Sequence, residues 1–369
     1  MKMQDRLLSL DAFRGITIAG MILVNNPGSW SHVYPPLLHA HWHGWTPTDL
    51  IFTFFLFIVG VAMSFSFARQ LQDTHNLKKI YLKIIKRTLI LFALGLFLSG
   101  FPYYKLETIR IPGVLQRIAV VYFFASLITL NTNIKGQAGM AAVLLLLYWA
   151  MMKLIPVPGY GTGDLSSHGN LAAYIDNMLL HGHTWKETWD PEGMLSTIPA
   201  IATTLSGVLV GHLIQSGKEK IEIAGWMFVL GWGAILLGLI WNIWFPINKS
   251  LWTSSYVLFT SGAALQFLGV CYWLIDVKGW KKWAKPAIVY GTNSIAVFVL
   301  SGLVARLLIE IKTRAADSSM VSLKIWIYQH LFSSWAGPLN GSLIFAITNI
   351  LFWLGLMSLL YRKRIFIKI

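Results

Sequence analysis

Long apolar runs separated by shorter polar segments dominate the hydropathy pattern of this chain. Ten runs approach the roughly 20 apolar residues that an α-helix needs to cross a bilayer. They lie at about 12–25, 48–68, 88–101, 113–130, 138–155, 196–215, 223–245, 254–275, 286–309 and 341–361. The first and third runs are short. The pattern predicts an all-α polytopic membrane protein with about ten transmembrane helices, organised as one transmembrane domain over residues 1–369.

The positions of the basic residues predict the orientation of these helices. An even number of spans puts both termini on one side, and the segments on that side then carry 20 of the 30 lysines and arginines. Because basic residues are enriched in cytoplasmic segments, we expect both termini in the cytoplasm. No basic leader with a cleavage site precedes the first run, so we expect that run to be retained as a signal anchor. The main outer segments are then about 26–47, 156–195 and 310–340.

Composition narrows the class of protein further. The chain is 56% hydrophobic and 12% charged, whereas an average soluble domain has about 25% charged residues, so a soluble globular protein and a disordered one are both excluded. The single cysteine, Cys271, excludes an intrachain disulfide and a cysteine-rich metal or iron–sulfur site. The basic cytoplasmic segments account for the net charge of +15, so we expect a lipid bilayer and no nucleic acid as partner.

Polar residues at the two ends of the first run are candidate functional groups, because ionisable residues in membrane segments are costly. Asp11 and Arg14 are three residues apart and share a helical face. They form an ion pair that anchors the helix start, or Arg14 binds a phosphate or a carbonyl group. At the outer end, an Asn in Asn25-Asn26 caps the helix, or Asn25 donates a hydrogen bond to a developing oxyanion.

Three histidines with alternate spacing, His39, His41 and His43, follow in the first outer segment. The spacing admits a metal site, but neither a helical H-x-x-x-H pair nor a nearby cysteine accompanies it. A position in the headgroup zone explains His41 and His43 well, so we expect no metal. His39 is the better candidate for a general base. Asp49, at the start of the second run, caps that helix or orients a histidine.

Five further polar residues lie near the ends of later runs. Gln116 and Arg117 lie one turn inside the fourth run, and Asn293, at the start of the ninth, is a helix cap or a ligand contact. Asp190 and Glu192 precede the sixth run on the outer side. They either hold a cationic amine or are acidic first-turn residues of the next helix.

These groups together indicate a reaction class. The outer face offers a base candidate, an oxyanion donor and carboxylates, in Asn25, His39, Asp49, Asp190 and Glu192, and the basic inner face suits an anionic donor or cofactor. The combination favours group transfer across or within the membrane. Periodicity alone does not name the group.

Eight short motifs, in order along the chain, resemble the heparan-alpha-glucosaminide N-acetyltransferase family in a bacterial-type form. They cover residues from about 8 to about 300. The motifs are Asp-Ala-Phe-Arg-Gly (11–15), Val-Asn (24–25), His-Ala-x-Trp-x-Gly (39–44), Thr-x-x-Asp-Leu-x-Phe (46–52), Gly-Val-Leu-Gln-Arg (113–117), Asp-Pro-Glu-Gly (190–193), Asn-Lys-Ser-Leu-Trp-Thr-x-Ser-Tyr-Val (248–257) and Asp-Val-Lys-Gly (276–279).

The resemblance implies an acyltransferase that moves acetyl from cytosolic acetyl-CoA to the amine of a terminal glucosamine on the far side of the membrane. It places the active-site histidine at His39 and an active-site asparagine at Asn25. It implies a bacterial inner membrane as the location, and it is the sole basis for expecting a homodimer. Larger family members carry an additional N-terminal lumenal region and one more span. We therefore expect glucosamine or a short amino-sugar glycan as acceptor here.

The expected mechanism combines these elements. Acetyl-CoA binds from the basic inner side, with Asp11, Arg14, Gln116, Arg117 and Asn293 as candidate contacts. His39 takes the proton of the acceptor amine, Asn25 stabilises the oxyanion, and Asp49, Asp190 and Glu192 support the site or hold the sugar. A route through an acetylated His39 is the alternative.

Two other functions fit the same pattern. A transporter of an amino sugar would also have about ten spans and buried polar residues, although an internal repeat and matching broken spans are not evident. A membrane acyltransferase that acts on another envelope glycan would have the same site and a different outer segment.

Overall fold

The computed structural model of the chain describes residues 7–73, 76–314 and 319–367. Three basic residues of the charge argument, Lys2, Arg6 and Lys368, lie outside these ranges. Helices dominate the described residues: α1 (Leu8–Asn25), α2 (Pro47–Asp73), α3 (Leu77–Gly100), α4 (Val114–Asn131), α5 (Ile134–Leu154), α6 (Leu171–Leu180), α7 (Thr197–Ile214), α8 (Lys220–Trp241), α9 (Ser254–Tyr272), α10 (Lys285–Thr292), α11 (Ser294–Glu310), α12 (Leu323–Tyr328), α13 (Ser334–Ala336) and α14 (Pro338–Arg362).

The described residues also form two short antiparallel hairpins. Strand β1 (Pro156–Val157) pairs with β2 (Gly161–Thr162), and β3 (Lys312–Arg314) pairs with β4 (Met320–Ser322). Pro156 lies opposite Thr162, and Thr313 lies opposite Val321. A 3-10 turn covers Pro35–Leu37, and π-helical turns cover Trp273–Val277 and Gln329–Ser333.

The helices confirm the all-α polytopic class. Within the described ranges, eight helices are long and apolar enough to cross a membrane, and the pair α10–α11 would make a ninth if its two halves form one span. The halves meet at an angle of 80°. Helix α3 covers the third predicted run, but five basic residues in its first half set it apart from the eight: Lys78, Lys79, Lys83, Lys86 and Arg87. The expected orientation of the termini stays a prediction.

The contacts divide the chain into two compact units. The first unit takes the described residues of 1–39, 46–51 and 274–368. In it α1 packs against α10 with their backbones in contact. A Cβ atom on Gly15 would lie 1.7 Å from the carbonyl oxygen of Ala287, and one on Gly291 would lie 2.1 Å from that of Asp11. Small residues let membrane helices approach this closely.

The second unit takes residues 40–45 and 52–273 among those described. Here α2 and α7 approach through glycines on both helices. A Cβ atom on Gly60 would lie 1.9 Å from the carbonyl oxygen of Thr204, and one on Gly207 would lie 2.0 Å from that of Phe57. The core of this unit includes the fully buried aromatic side chains of Phe57, Tyr148 and Trp252.

The close approach of α1 and α10 predicts a sharp contrast between two glycines of α1. Gly15→Ala should destabilise the protein by about 1–3 kcal/mol, the usual cost of an overpacked contact, because the added methyl group meets backbone atoms of α10. Gly20→Ala is the matched control, since its nearest neighbour is the Ile51 side chain at 3.5 Å. Thermal unfolding midpoints in detergent measure both. Equal midpoints for the two variants would contradict the packing.

The predicted orientation can be tested by labelling because Cys271, the single cysteine, is buried. We expect a Ser31→Cys variant to react with a membrane-impermeant maleimide in intact spheroplasts. A Ser216→Cys variant should react only after the membrane is permeabilised. Both serines are exposed in the structure. The reverse labelling pattern would invert the orientation.

Candidate active site

The side chains of His39 and Asp49 form a hydrogen-bonded pair in the first unit. The distance from His39 Nδ1 to Asp49 Oδ1 is 2.7 Å. The Asp49 side chain is 1% exposed, whereas that of His39 is 52% exposed. A carboxylate at this distance favours the tautomer with the proton on Nδ1, and in that tautomer the lone pair is on Nε2. The arrangement is suited to general base chemistry on the exposed side of the ring.

The start of α2 holds the Asp49 carboxylate in place. Thr46 is the residue before the helix, Pro47 is its first residue, and Asp49 Oδ2 accepts a hydrogen bond from the backbone N–H of Thr46 at 3.0 Å. This is one half of a capping box, in which the third helical residue bonds back to the cap. Asp49 therefore does both things that the sequence left open, since one oxygen caps the helix and the other contacts His39.

The segment before His39 is attached to its neighbours in the same unit. The hydroxyl of Thr46 donates to the carbonyl of Leu38 at 2.6 Å, and that of Thr48 donates to the carbonyl of Pro36 at 3.2 Å. The backbone N–H groups of Gly28 and Ser29 donate to Ser342 at the start of α14. The polypeptide around His39 is thus fixed at both ends although the ring itself is exposed.

Asn25 is the last residue of α1, and its side chain is exposed. Its carboxamide makes no hydrogen bond within the described part of the chain. The neighbouring Asn26 is buried, and its side chain and backbone N–H groups both donate to the carbonyl of Ile22. The capping role therefore falls to Asn26, which leaves the Asn25 carboxamide suited to contact a ligand.

Three of the expected acetyl-CoA contacts lie near the start of α1 and the α10–α11 bend. Arg14 Nη1 donates to Asp11 Oδ1 at 3.0 Å and to the carbonyl of Gly291 at 3.3 Å, so the predicted ion pair is present. Asn293 is buried at the bend. Its side chain donates to the carbonyl of Ile365 at 3.1 Å and accepts from the backbone N–H of Ile367 at 2.8 Å, so it holds the segment that follows α14.

The other two histidines of the first outer segment are both exposed. His43 Nδ1 lies 3.4 Å from Asn248 Nδ2. Between them Trp42 donates its indole N–H to the carbonyl of Leu165 at 2.8 Å and packs edge-on against Trp189. Among the residues that the structure describes, no group of three or more His, Cys, Asp or Glu side chains is placed to hold a metal ion.

In the second unit, Asp190 and Glu192 both pair with Arg110. Arg110 Nε lies 2.8 Å from Asp190 Oδ2, Nη2 lies 2.5 Å from Asp190 Oδ1, and Nη2 also donates to Glu192 Oε2. Asp190 accepts further hydrogen bonds from the backbone N–H groups of Trp185 and of Glu192 itself. Burial disfavours the charge on Arg110, but the bond to Asp190 and the attraction of Glu192 raise the pKa of its guanidinium overall.

Arg117 lies buried at the start of α4 and joins it to the segment after Asp190. Its Nη2 donates to the carbonyl of Gly193 at 2.9 Å and to the hydroxyl of Ser196, and its guanidinium lies 4.9 Å from the centre of a Trp252 ring. Its Nε and Nη1 atoms are buried and have no hydrogen-bond partner among the residues that the structure describes. Gln116 is buried as well, and its side chain donates to the hydroxyl of Ser99 at 3.4 Å.

Asp176, on α6, belongs to the same charged cluster. Its Oδ1 accepts from the backbone N–H of Met194 at 2.8 Å, and its side chain is buried. Burial raises the pKa of this carboxyl to about 6, with a further increase from the charge of Asp190 and opposing contributions from the Met194 N–H and Arg117. The cluster therefore contains a carboxyl group that changes charge near neutral pH.

Sequence reasoning missed Arg110 and Asp176 as members of this cluster. Arg110 is 80 residues from Asp190 along the chain, and no local pattern reports a contact over that separation. One signal was available, because Arg110 lies in a segment expected on the outer side, where the positive-inside rule predicts few basic residues. The segment 156–195 contains acidic residues that could pair with it.

A family model described as Heparan-alpha-glucosaminide N-acetyltransferase, catalytic, matches residues 6–246. The match covers more than half of the chain and includes Asn25, His39, Asp49, Asp190 and Glu192.

The chain belongs to this family.

Two curated family members show how far the similarity extends. The heparan-alpha-glucosaminide N-acetyltransferase of Mus musculus is 31% identical over 353 aligned positions, which cover 80% of this chain and 53% of that protein. The Homo sapiens protein of the same name is 32% identical over 352 positions, which cover 80% of this chain and 52% of that protein. The chain thus spans about half the length of the curated family members it matches.

The buried Asp176 carboxyl predicts how stability depends on pH. Its pKa of about 6 in the folded chain exceeds the ordinary value near 3.9, so the folded state binds more protons between those values. Stability from this group should therefore fall as pH rises from about 4 to about 6 and stay low above that. Asp176→Asn should remove this slope and stabilise the chain at pH 7 by at most about 3 kcal/mol.

Thermal unfolding midpoints in detergent between pH 4.5 and 7.5 measure the effect. Asp164→Asn is the matched control, because Asp164 is a half-buried carboxyl group in the same outer segment and should leave the slope in place. An unchanged slope in Asp176→Asn would show that another group titrates.

Proposed function

We propose that the chain is a transmembrane N-acetyltransferase. It moves acetyl from cytosolic acetyl-CoA to the amine of glucosamine, or of a short amino-sugar glycan, on the extracytoplasmic side of a bacterial inner membrane. The observation that carries the proposal is the His39–Asp49 pair, with its 2.7 Å hydrogen bond and exposed ring, inside the segment that matches the family.

The nucleophile is the neutral form of the acceptor amine, and its nitrogen has to lose one proton to a base as the new amide bond forms. His39 Nε2 takes a proton from the acceptor amine as its nitrogen attacks the thioester carbonyl carbon. The carbonyl electron pair moves to oxygen and forms a tetrahedral oxyanion. Collapse of that intermediate breaks the carbon–sulfur bond, and the CoA thiolate recovers the proton from the His39 imidazolium. Asp49 remains ionised and stabilises the imidazolium while it exists.

Asn25 is the proposed oxyanion donor. Its exposed carboxamide and its position at the end of α1 are suited to this role, and a contact of this kind is typically worth about 3 kcal/mol in the transition state. The ping-pong alternative uses the same residues, with His39 attacking the thioester first and the amine attacking acetyl-His39 second.

The other residues expected to contact acetyl-CoA or the sugar fall into two groups, those that are partly exposed and those whose side chains are engaged within the chain. Arg14 is partly exposed and is the proposed phosphate contact for acetyl-CoA. Gln116, Arg117 and Asn293 are buried and make contacts within the chain, so we propose structural roles for them. Asp190 and Glu192 both pair with Arg110, and we propose that this pairing holds the segment 156–195 in place. The homodimer expected from the family remains a prediction.

One observation favours the transporter alternative. The 80° bend between α10 and α11 is the kind of broken helix that lines substrate sites in many secondary transporters. Transport of the amino sugar without consumption of acetyl-CoA would support that function over acetyl transfer.

The decisive experiment is acetyl transfer by the purified chain in detergent with labelled acetyl-CoA and glucosamine. We expect His39→Ala to lower the rate by about 10²–10⁴-fold, the usual contribution of a general base. Asp49→Asn should also lower it, because a neutral amide cannot stabilise the imidazolium. His41→Ala, an exposed histidine two residues away, is the matched control and should keep wild-type activity.

Three outcomes would change the assignment. Full transfer by His39→Ala would remove His39 from the mechanism. Label on the protein before acceptor is added would select the ping-pong route. Binding of acetyl-CoA without transfer to glucosamine would point to another envelope glycan as acceptor.

A further inference from the structure

Helix α3, in the second unit, carries a stripe of cations along one side of its first half. Lys79 and Lys83 are four residues apart, and Lys86 and Arg87 follow Lys83 by three and four residues. This spacing places all four side chains along one side of the helix. The three lysines are exposed and Arg87 is half-buried. We call these four residues the α3 basic stripe.

The α3 basic stripe has no acidic counterpart on its own helix. Neither aspartate nor glutamate occurs in Leu77–Gly100, and no ion pair in the described part of the chain includes any of the four cations. Like charges four residues apart destabilise a helix, and Lys79, in the first turn, also opposes the positive end of the helix dipole. An anion supplied from outside the chain would relieve both costs.

Contacts with α4 hold the first half of α3 in place. The guanidinium carbon of Arg87 lies 4.6 Å from the centre of the Tyr122 ring, and the hydroxyl of Tyr81 donates to the carboxamide oxygen of Asn131 at 3.1 Å. Arg87 Nε and the Thr88 hydroxyl are buried, and neither has a hydrogen-bond partner among the described residues. Arg87 is thus positioned by an aromatic ring and not by a carboxylate, so its charge is available to an external anion.

The apolar part of α3 places the α3 basic stripe at the level of the lipid headgroups. Residues 88–100 contain no ionisable side chain, as the hydrocarbon core requires, whereas residues 78–87 contain all five basic residues of the helix. Aliphatic side chains are exposed beside the lysines, since Leu82 is 67% exposed, Ile85 43% and Leu89 64%. By helical periodicity these three form the face next to the stripe. The exposed surface of α3 is therefore cationic along one edge and apolar along the adjoining face.

This combination limits the class of anion. A soluble phosphate would match the cations but would leave the apolar face uncovered. A zwitterionic phospholipid would cover that face, but its own cationic group would be repelled by the lysines. An anionic phospholipid satisfies both parts, because its phosphate pairs with the cations while its acyl chains lie along the aliphatic side chains. Basic clusters beside a membrane segment attract such lipids, and the long stems of lysine let the ammonium groups reach the headgroups.

We propose that the α3 basic stripe binds the phosphate groups of anionic phospholipids from the surrounding bilayer. The lipid is neither donor nor acceptor in the proposed acetyl transfer, so the inference stands without that reaction. Because the bound phosphate compensates the like charges of the stripe, anionic lipid should stabilise the folded chain.

Phosphatidylglycerol and phosphatidylcholine with the same acyl chains test the proposal, because only the first has a net negative charge. The purified chain in a neutral detergent is titrated with each lipid, and the first bound lipid is measured by native mass spectrometry. We expect the wild type to bind phosphatidylglycerol at least about tenfold more tightly, since each basic residue near an anionic headgroup adds to the attraction. The triple variant Lys79→Gln/Lys83→Gln/Lys86→Gln should lose most of this preference. The same three substitutions to arginine keep the charge and should keep the preference.

The matched control removes the same number of charges from another segment. Lys281, Lys282 and Lys285 are exposed lysines beyond α9, and their triple substitution by glutamine should leave the preference for phosphatidylglycerol in place. If both triple glutamine variants lose the preference equally, the lipid responds to total charge and the site on α3 is refuted.

Thermal unfolding in the same detergent gives a second readout. Phosphatidylglycerol should raise the unfolding midpoint of the wild type and have much less effect on the α3 triple glutamine variant. Without lipid, that variant should unfold no earlier than the wild type, because it removes like charges from one helix. Lys83→Gln alone, at the centre of the α3 basic stripe, should lose part of the lipid-induced shift and serves if the triple variant cannot be purified.

Three results would overturn the proposal. The first is a wild type without preference between the two lipids, and the second is equal binding of phosphatidylglycerol by wild type and the α3 triple glutamine variant. The third is displacement of phosphatidylglycerol from the wild type by coenzyme A at concentrations at which inorganic phosphate has no effect, which would assign the stripe to a soluble nucleotide. Retention of the lipid in the presence of both soluble anions supports the lipid site.

Discussion

A polar group inside a bilayer must find its partner within the protein, and this requirement shapes much of the chain. The start of α1 meets it by pairing Arg14 with Asp11 and with a backbone carbonyl of α10. The break between α10 and α11 meets it through the Asn293 carboxamide, which bonds to the segment after α14. Where glycines bring helix backbones into contact, as at Gly15 and Ala287, no side chain intervenes. The proposed catalytic pair follows the same rule, since the buried Asp49 carboxylate is paired with the exposed His39 ring.

Hydropathy predicted the helices well because each membrane segment has to satisfy its own backbone. It did not reveal the bend at Asn293, since a change of direction leaves the apolar run intact. It also placed the start of α3 eleven residues too late. The basic residues there are mostly exposed and continue the helix without contributing to an apolar run. Helix α6, with ten residues, was absorbed into an outer segment because it is too short to span a bilayer.

Some contacts of the candidate site join residues that are close in sequence and were predictable, whereas others join residues that are far apart along the chain. His39 and Asp49 are ten residues apart, and the Thr-Pro-x-Asp helix start made Asp49 a candidate both for a cap and for a histidine partner. In the structure one Asp49 oxygen accepts from the Thr46 N–H and the other contacts His39. Asp190 and Glu192 carried a clear local signal as acidic residues before a helix, but three helices, α4, α5 and α6, separate them from their partner Arg110 along the chain. Such a pairing depends on how helices pack, which a single sequence does not report. The family match explains the resemblance of the motifs without settling these contacts.

The shared use of the Asp49 carboxylate links folding to chemistry through a single side chain. Glutamine at this third helical position could also bond back to the cap but would leave an imidazolium without its counter-charge. A glutamate would keep the charge and move both oxygen atoms outward by one methylene group. Position 49 should therefore tolerate fewer residue types than it would if its side chain had only one of the two roles. Fraying of the first turn of α2, a common event at helix ends, would release the ring of His39 at the same moment, so the rigidity of this helix terminus sets how firmly the proposed base is oriented.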